Sequence, residues 1–241
     1  NYIEEKSNLT GEGIHSADLP ALASIAADID GDGLEDLIIG GLYSWQARAD
    51  GNDWLNAEDI IVLKQNKDGT FTHVAANLPN GLLYKNRCTT SPDNFEAVAG
   101  CQSGNIADIR AADINSDGFL DLISVAHDYG AIGVGEIQIF INHGNFVFTD
   151  ESSSYLNGEK YTTGYGYMNV YTTDINGDRK LDLILKGGNG SKIYLNDGSG
   201  KMVEITEQLL KLTGDNKLYN LEAIMLGGSS ALIYSTGQLV Y

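Results

Sequence analysis

The stretch that decides the fold is DIDGDGLEDLII at residues 28–39, where aspartates at alternating positions lead into an apolar run. The pattern returns as DINSDGFLDLIS at 113–124 and as DINGDRKLDLIL at 174–185. Each copy reads D-x-[DN]-x-D-x-x-x-D before the apolar residues begin. Recurrence of this kind is typical of repeat architectures, in which each copy is one supersecondary unit.

A second pattern follows each acidic loop, namely a β-like run ending in asparagine, a turn with glycine and another β-like run. The runs are IIVLKQN, EIQIFIN and SKIYLN, which predicts that Asn66, Asn142 and Asn196 are equivalent. Apolar alternation on both sides of a glycine turn indicates a β-hairpin. Each unit is therefore predicted to be a four-stranded antiparallel meander, with the acidic loop between its first two strands.

Small residues crowd the strand before the acidic loop, as at Ala26, Ala27, Ala111 and Ala112. This suits an innermost strand, and a radial array of such sheets is a β-propeller. We predict one all-β propeller domain over residues 1–241, with three full units and a degenerate fourth made of LYNLEAIML, ALIYST and QLVY. The N-terminal run NYIEEKSNL would supply the missing strand and close the ring. The alternatives are a fragment of a larger propeller and a homodimer in which two chains complete one ring.

Composition restricts the classes of partner. The chain has 42% hydrophobic and 20% charged residues, which is a globular composition. Its net charge of −18, from 33 acidic and 15 basic residues, repels phosphate backbones and anionic lipid. We therefore predict no nucleic-acid partner. No apolar run reaches the roughly 18 residues of a membrane span, so no membrane insertion is predicted.

The acidic loops are predicted to bind Ca²⁺. Carboxylates packed into a tight turn repel one another unless a cation lies among them, and a donor set of oxygens alone favours calcium over zinc. Positions 1, 3, 5 and 9 of each loop would supply side chains, and position 7 a backbone carbonyl. The predicted ligands are Asp28, Asp30, Asp32, Leu34 and Asp36 in the first loop; Asp113, Asn115, Asp117, Phe119 and Asp121 in the second; and Asp174, Asn176, Asp178, Lys180 and Asp182 in the third.

An EF-hand is the competing interpretation, because its loop also begins D-x-[DN]-x-[DN]-G. It needs a glutamate at position 12 and a helix on each side. Position 12 holds Ile39, Ser124 and Leu185, and the flanking runs are β-like. Solvated acidic turns without metal are the remaining alternative, and three loops in register argue against it.

The three loops and the strands after them resemble the FG-GAP or VCBS repeats of integrin α propellers and of many bacterial secreted proteins. The resemblance covers about Ala21 to Thr206 and extends weakly to Tyr241. It implies calcium ions that brace the blades without performing chemistry. The third loop has Arg179 where the others have Gly33 and Gly118. If that position needs a positive φ, arginine costs energy there, so the third site is expected to be the weakest.

Successive strands of a meander run in opposite directions, so every second connection lies at the same end of the sheet. This predicts that acidic loops and hairpins share one end of the sheets, while the connections of variable length lie at the other. Insertions on a rigid scaffold often carry function. Aromatic and polar side chains on that end suit a glycan or an extracellular protein, as in cell adhesion. The candidate ligand-binding residues are Tyr43, Trp45, Arg48, Trp54, Tyr84, Arg87, His127, Tyr129, Tyr161, Tyr165 and Tyr167.

Two other functions are weighed against recognition. A secreted polysaccharide-degrading enzyme could draw an acid–base pair from His127, Asp128 and Tyr129, but no nucleophile or phosphate-binding motif appears. We therefore assign no catalytic residue. A scaffold segment of a larger secreted protein, without its own ligand, is the other alternative.

Two cysteines, Cys88 and Cys101, lie in a polar, turn-rich stretch. A disulfide between them would stabilise the fold by roughly 3 kcal/mol through loop closure. Two unpaired thiols are the alternative. A disulfide would require an oxidising compartment, so the predicted location is secreted or extracellular, with the cell surface or the periplasm included.

Overall fold

A computed structural model gives the fold of the chain. The structure describes residues 9–10, 21–41, 60–74, 106–126, 134–158, 161–163, 166–187, 190–213, 219–226 and 229–235. Within these ranges the protein is all-β, with three four-stranded antiparallel meanders, a two-stranded ladder and two short helices. The prediction of an all-β chain built from repeated four-stranded sheets is confirmed.

The first sheet contains the first acidic loop, which joins the strand ending at Ala27 to the strand beginning at Asp36. Its strands are β1 (Leu9–Thr10), β2 (Ala21–Ala27), β3 (Asp36–Gly41), β4 (Ile60–Gln65) and β5 (Phe71–His73). The order is β1-β5-β4-β3-β2, and β2 to β5 form the predicted antiparallel meander.

The second sheet repeats this meander and adds an outer strand. It contains β6 (Ile106–Ala112), β7 (Asp121–Ala126), β8 (Val134–Asn142), β9 (Phe148–Asp150) and β10 (Tyr161–Thr163). The long strand β8 pairs with β10 through its first residues and with β9 through its last. A four-residue helix, Ser152–Tyr155, follows β9.

The third sheet consists of β11 (Tyr167–Thr173), β12 (Asp182–Gly187), β13 (Lys192–Asn196) and β14 (Met202–Glu204), in that order. Helix Thr206–Thr213 follows it. The degenerate fourth unit is described as β15 (Tyr219–Leu226) and β16 (Ser229–Ser235), which are antiparallel. These match its two predicted strands, and the predicted third strand QLVY lies outside the described residues.

The predicted ring closure is wrong for the described part of the N-terminal run. Leu9 and Thr10 pair in parallel with Phe71 and Thr72 of β5, so they extend the first sheet and not the last. An edge strand offers unpaired backbone groups, and β5 is the outer edge of the first meander. The chain satisfies that edge with its own N-terminal residues.

The predicted equivalence of the three asparagines is also wrong, by one residue in the first unit. Gln65 pairs with Phe71 just as Asn142 pairs with Phe148 and Asn196 with Met202. Asn66 already belongs to the turn, where its backbone N–H donates to the Thr70 carbonyl (2.7 Å). Gln65 therefore takes the position that asparagine holds in the other two sheets.

The core lies between neighbouring sheets. The first strands of the three meanders contact one another in chain order, β2 against β6 and β6 against β11. One buried cluster joins the first and second sheets around Ile38, Ile106 and Leu122, and another joins the second and third sheets around Ile139 and Leu183. Every residue of the β7 stretch 121–125 is buried, as expected for a strand covered on both faces.

Gly40 permits the close approach of the first two sheets. A Cβ atom built on Gly40 would lie 2.6 Å from Cγ2 of Ile106, closer than carbon atoms can pack. Glycine at the end of β3 is thus required by its neighbour in the second sheet.

Candidate cation-binding loops

Each acidic loop joins the first strand of a sheet to the second, and its turn is shaped by its own position-1 carboxylate. Positions are counted from Asp28, Asp113 and Asp174. In every loop the position-1 Oδ2 accepts the backbone N–H of position 6, at 2.8–3.0 Å. Positions 4 and 6 have positive φ, for example 78° at Gly31 and 87° at Gly33. The aspartate and the left-handed residues together fold the loop back on itself.

The position-9 aspartates attach each loop to the third strand of its sheet. Asp36, Asp121 and Asp182 are fully buried. One oxygen of each accepts the position-2 backbone N–H, at 2.7–3.1 Å. The other oxygen accepts a backbone N–H from the last residue of the third strand, at 2.8–2.9 Å. The loops and the hairpins that follow the third strands therefore share one end of the sheets, as predicted.

Burial makes these carboxylates costly to ionise. Desolvation raises the pKa of Asp121 to about 6, against the opposing effect of its backbone hydrogen bonds. Burial also raises the pKa of Asp36 and of Asp182. A cation in the loop would favour the ionised form, since an opposite charge within a few ångströms stabilises a carboxylate.

The donor set fits a hard cation. The ligand positions offer oxygen atoms, and one carboxylate oxygen each from Asp28, Asp30 and Asp36 lie within 4.8 Å of one another. Calcium binds oxygens at 2.3–2.6 Å, so two oxygens on the same ion can be about 5 Å apart. The spacing of these three oxygens is thus within the range that a shared ion would require.

Position 3 separates the first loop from the other two. The side-chain amide of Asn115 donates to Oδ2 of Asp117 (2.9 Å), and Asn176 donates likewise to Asp178 (3.2 Å). The first loop has Asp30 there, which offers no such donor. Lys64 of β4 supplies the missing donor. Its Nζ bonds to Oδ2 of Asp30 and to Oδ2 of Asp32, the latter at 2.7 Å.

The Lys64 ammonium changes the electrostatics of the first loop. Its hydrogen bond, with help from the Leu34 backbone N–H, lowers the pKa of Asp32. Burial opposes the charged form of Lys64, but the bonds to the two aspartates outweigh it, and the pKa of Lys64 is raised. The first loop therefore has a positively charged side chain, Lys64, bonded to two of its predicted ligands.

Two asparagines connect neighbouring units. Nδ2 of Asn142 donates to the carbonyl of Ile29 in the first loop (2.8 Å) and to that of Leu120 in its own unit (3.0 Å). Nδ2 of Asn196 donates in the same way to Ile114 of the second loop (2.9 Å) and to Leu181 (3.3 Å). Each sheet thus bonds to position 2 of the acidic loop of the preceding unit.

Comparison with known proteins identifies part of this repeat. Residues 113–185 match the FG-GAP-like repeat family. The match begins at the second acidic loop and ends within β12, the strand that follows the third acidic loop. This stretch is similar to an FG-GAP-like repeat. The predicted resemblance is confirmed for it.

No curated protein matches the sequence. Among solved structures, a lectin of Agrocybe aegerita, titled for specific recognition of non-reducing terminal N-acetylglucosamine, has a TM-score of 0.42 and 18% identity to this chain. The match covers 87% of this chain and 45% of the lectin, so the chain spans just under half the lectin's length. Within the described residues, no helix has the length and apolar character needed to cross a membrane.

The position-7 residues of the loops occupy different surroundings. Leu34 is half-buried, and Phe119, inside the FG-GAP-like repeat, is 38% exposed with its ring against Gly144. Lys180 donates from Nζ to the Asp197 carbonyl (3.0 Å) and lies 3.5 Å from Oδ2 of Asp178. Their backbone carbonyls remain predicted ligands.

Two residues of the predicted ligand face, Tyr161 and Tyr167, are among the described residues. Tyr161 lies in β10 opposite Glu136. Tyr167 is 5% exposed and packs in the core between the second and third sheets, so its side chain does not belong to an exposed face. The other candidates lie outside the described residues, as does the predicted disulfide; they are Tyr43, Trp45, Arg48, Trp54, Tyr84, Arg87, His127, Tyr129, Tyr165, Cys88 and Cys101.

Sequence reasoning missed the role of Lys64 and the links made by Asn142 and Asn196. The extra carboxylate of the first loop, Asp30 in place of asparagine, was a signal that a basic residue should lie nearby. The sequence showed that asparagine recurs at the end of each predicted third strand, but no neighbouring residue in the sequence indicated that the amides of Asn142 and Asn196 bond to a neighbouring unit.

Arg179 does adopt the strained conformation considered above, with φ of 71° inside the FG-GAP-like repeat. Ser116, at position 4 of the second loop, has φ of 61°. The left-handed region costs an L-residue roughly 1–2 kcal/mol. Strain therefore affects both the second and the third loop.

Arg179→Gly should raise the free energy of unfolding of the calcium-free protein by about 0.5–1 kcal/mol, because glycine adopts a positive φ without strain. The backbone N–H that bonds Asp174 is retained. Urea denaturation measures the change. Arg179→Ala is the matched control, since it removes the charge and keeps the strain. An equal gain in both variants would assign the effect to charge.

Proposed function

We propose that the chain is a calcium-stabilised recognition module in which the three sheets are blades of a β-propeller. The observation that carries this proposal is the common end shared by the three acidic loops, each closed by the same buried position-9 aspartate. Ca²⁺ at these loops would offset carboxylate repulsion and brace the junction between the first and third strands. The ligand would bind at the opposite end.

The propeller proposal is supported by the order of the inner strands. The contacts of β2 with β6 and of β6 with β11 place neighbouring first strands side by side, as around an axis. The FG-GAP-like repeat at residues 113–185 is compatible with this architecture and with recognition outside the cell. The number of blades and the way the ring closes, by one chain or by two, are part of the proposal.

The extracellular location follows from the proposed metal. Calcium sites of extracellular modules have dissociation constants of about 10⁻⁴–10⁻³ M, matched to millimolar calcium. The ligand positions 1, 3 and 5 lie on half-buried or exposed residues at the loop surface, which favours a site of that weak class. A disulfide between Cys88 and Cys101 would agree with the same compartment.

The recognition end is proposed from topology. Strand β3 begins at Asp36 beside the acidic loop and ends at Gly41, and β4 begins at Ile60, so the strand ends that residues 42–59 connect lie away from the acidic loop. That connection contains Trp45 and Trp54, the two tryptophans of the sequence. Aromatic rings flanked by polar groups can stack on sugar rings or anchor a protein surface.

A glycan array tests this part of the proposal. The wild-type protein should bind a defined glycan class, and Trp45→Ala or Trp54→Ala should reduce binding tenfold or more, as for a buried aromatic anchor. Phe119→Ala, an exposed aromatic at the acidic-loop end, should leave binding unchanged. Tryptophan emission gives a second readout in solution. Equal binding by all variants would exclude the proposed face, and failure to bind any glycan or extracellular protein would favour a scaffold.

A further inference from the structure

At its side-chain ligand positions, the first acidic loop has one more negative charge than either of the other two loops. Its side-chain ligand positions contain four aspartates, whereas the second and third loops contain three aspartates and one asparagine each. In those two loops the asparagine amide donates to the position-5 carboxylate. The first loop replaces this amide with a second carboxylate, Asp30, and therefore needs a donor from elsewhere.

Lys64 supplies that donor, and its side chain contacts residues of both the first and the second sheet. Its Nζ contacts Oδ2 of Asp30 and lies 2.7 Å from Oδ2 of Asp32. It also lies 5.4 Å from the ring centroid of Phe146, a buried residue of the hairpin in the second sheet. An ammonium over an aromatic face is attracted by the ring electrons.

The other units have no lysine at this position. The residue before the end of the third strand is Lys64 in the first sheet, Ile141 in the second and Leu195 in the third, by the register of each hairpin. A cation here is thus specific to the loop with the extra carboxylate. The Lys64 ammonium thus offsets the additional carboxylate that Asp30 places at the ligand positions of the first loop.

Calcium and the Lys64 ammonium would compete for the same two carboxylates, Asp30 and Asp32. Asp30 is one of the three residues whose oxygens lie within 4.8 Å of one another in the first loop. The ammonium bonds to that residue and to Asp32, so a divalent ion would have to displace it or bind beside it. Either costs free energy, because like charges repel and the two ion pairs would be lost.

We propose that Lys64 is a built-in competitor of Ca²⁺ at the first loop, which makes this loop the weakest of the three cation sites. The proposal rests on the calcium function proposed above. It places the weakest site in the first loop, whereas the sequence had suggested the third on account of Arg179.

Lys180 does not play the same part in the third loop. Its Nζ is 3.5 Å from one carboxylate oxygen, of Asp178, and donates a hydrogen bond to the Asp197 carbonyl instead. It contacts one ligand position, whereas Lys64 contacts two. The second loop has no lysine at positions 1 to 9. The expected order of calcium affinity is therefore second loop, third loop, first loop.

Isothermal titration calorimetry of the decalcified full chain with CaCl₂ tests the proposal. The wild type should show two tighter sites and one weaker site, and Lys64→Gln should strengthen the weak site about tenfold. Lys67→Gln is the matched control, because Lys67 is exposed on the same hairpin and its charge acts on Asp32 only through space, whereas Lys64 bonds to Asp32 directly. It should change the affinity less than twofold.

The double variant Lys64→Gln, Asp30→Asn covers the case in which Lys64→Gln alone fails to fold. It recreates the asparagine–aspartate pair of the other loops and should bind three calcium ions with similar affinity. If Lys64→Gln and the double variant fold and their isotherms equal that of the wild type, the competition is disproved while the calcium function stands. If no variant binds calcium, both proposals fail.

Discussion

Asn142→Ala is expected to lower the free energy of unfolding by about 3 kcal/mol or more. Asn142 is fully buried, and all of its side-chain polar groups are paired. Truncation leaves the carbonyls of Ile29 and Leu120 without their side-chain donor and the Gly144 N–H without its acceptor. Each buried group left unpaired costs about 1–3 kcal/mol. Urea denaturation with an unchanged m-value would measure the loss.

Two further variants separate the stability lost with the hydrogen bonds of Asn142 from the stability lost by creating a cavity. Asn142→Asp keeps the volume and the acceptor for Gly144, but it sets a carboxyl oxygen against two carbonyls, so the loss should be as large as for alanine. Asn66→Ala is the matched control, since the Asn66 amide bonds to Thr70 and Thr72 of its own hairpin. Its cost should be below about 1 kcal/mol. Equal losses at Asn66 and Asn142 would contradict the role assigned to the link between units.

Removal of calcium by excess chelator should lower the melting temperature by about 10 °C or more. In about 10–100 mM CaCl₂, a hundred times dissociation constants of about 10⁻⁴–10⁻³ M, calcium stabilises the folded state by about 2.7 kcal/mol per site. For a domain of this size, 1 kcal/mol corresponds to about 2–4 °C. Two occupied sites, in the second and third loops, account for the expected change. Differential scanning calorimetry with and without chelator gives the measurement.

The specificity of this effect has a direct control. Asp117→Asn and Asp178→Asn, at position 5 of the second and third loops, should each remove about half of the calcium-dependent shift. Glu207→Gln removes a carboxylate from an exposed helix, where Glu207 pairs with Lys211, and should leave the shift intact. Melting curves that coincide in chelator and in millimolar calcium would rule out a structural metal.

The repeated sheets could be predicted because the acidic loop is a local structure. Its position-1 aspartate bonds within six residues, so the required spacing is visible in the sequence. The apolar runs after each loop then specify strands. The same locality explains why an acidic loop lies between the first two meander strands of all three units, as predicted.

What escaped prediction depends on contacts between distant residues. The register error at Asn66 arose because asparagine occurs one residue later in the first unit than in the others. The spacing of six residues to the first residue of the fourth strand, which holds for Gln65, Asn142 and Asn196, would have corrected it. The placement of Leu9–Thr10 on β5 also depends on pairing across a long separation, for which a two-residue strand carries no signal.

The backward direction of the asparagine links bears on how the chain acquires its structure during synthesis. Asn142 and Asn196 each bond to a loop that leaves the ribosome before they do. A newly made sheet can therefore dock onto a finished predecessor without waiting for later residues. Growth from the N-terminus would then proceed one sheet at a time, which limits exposure of unpaired edges to other nascent chains.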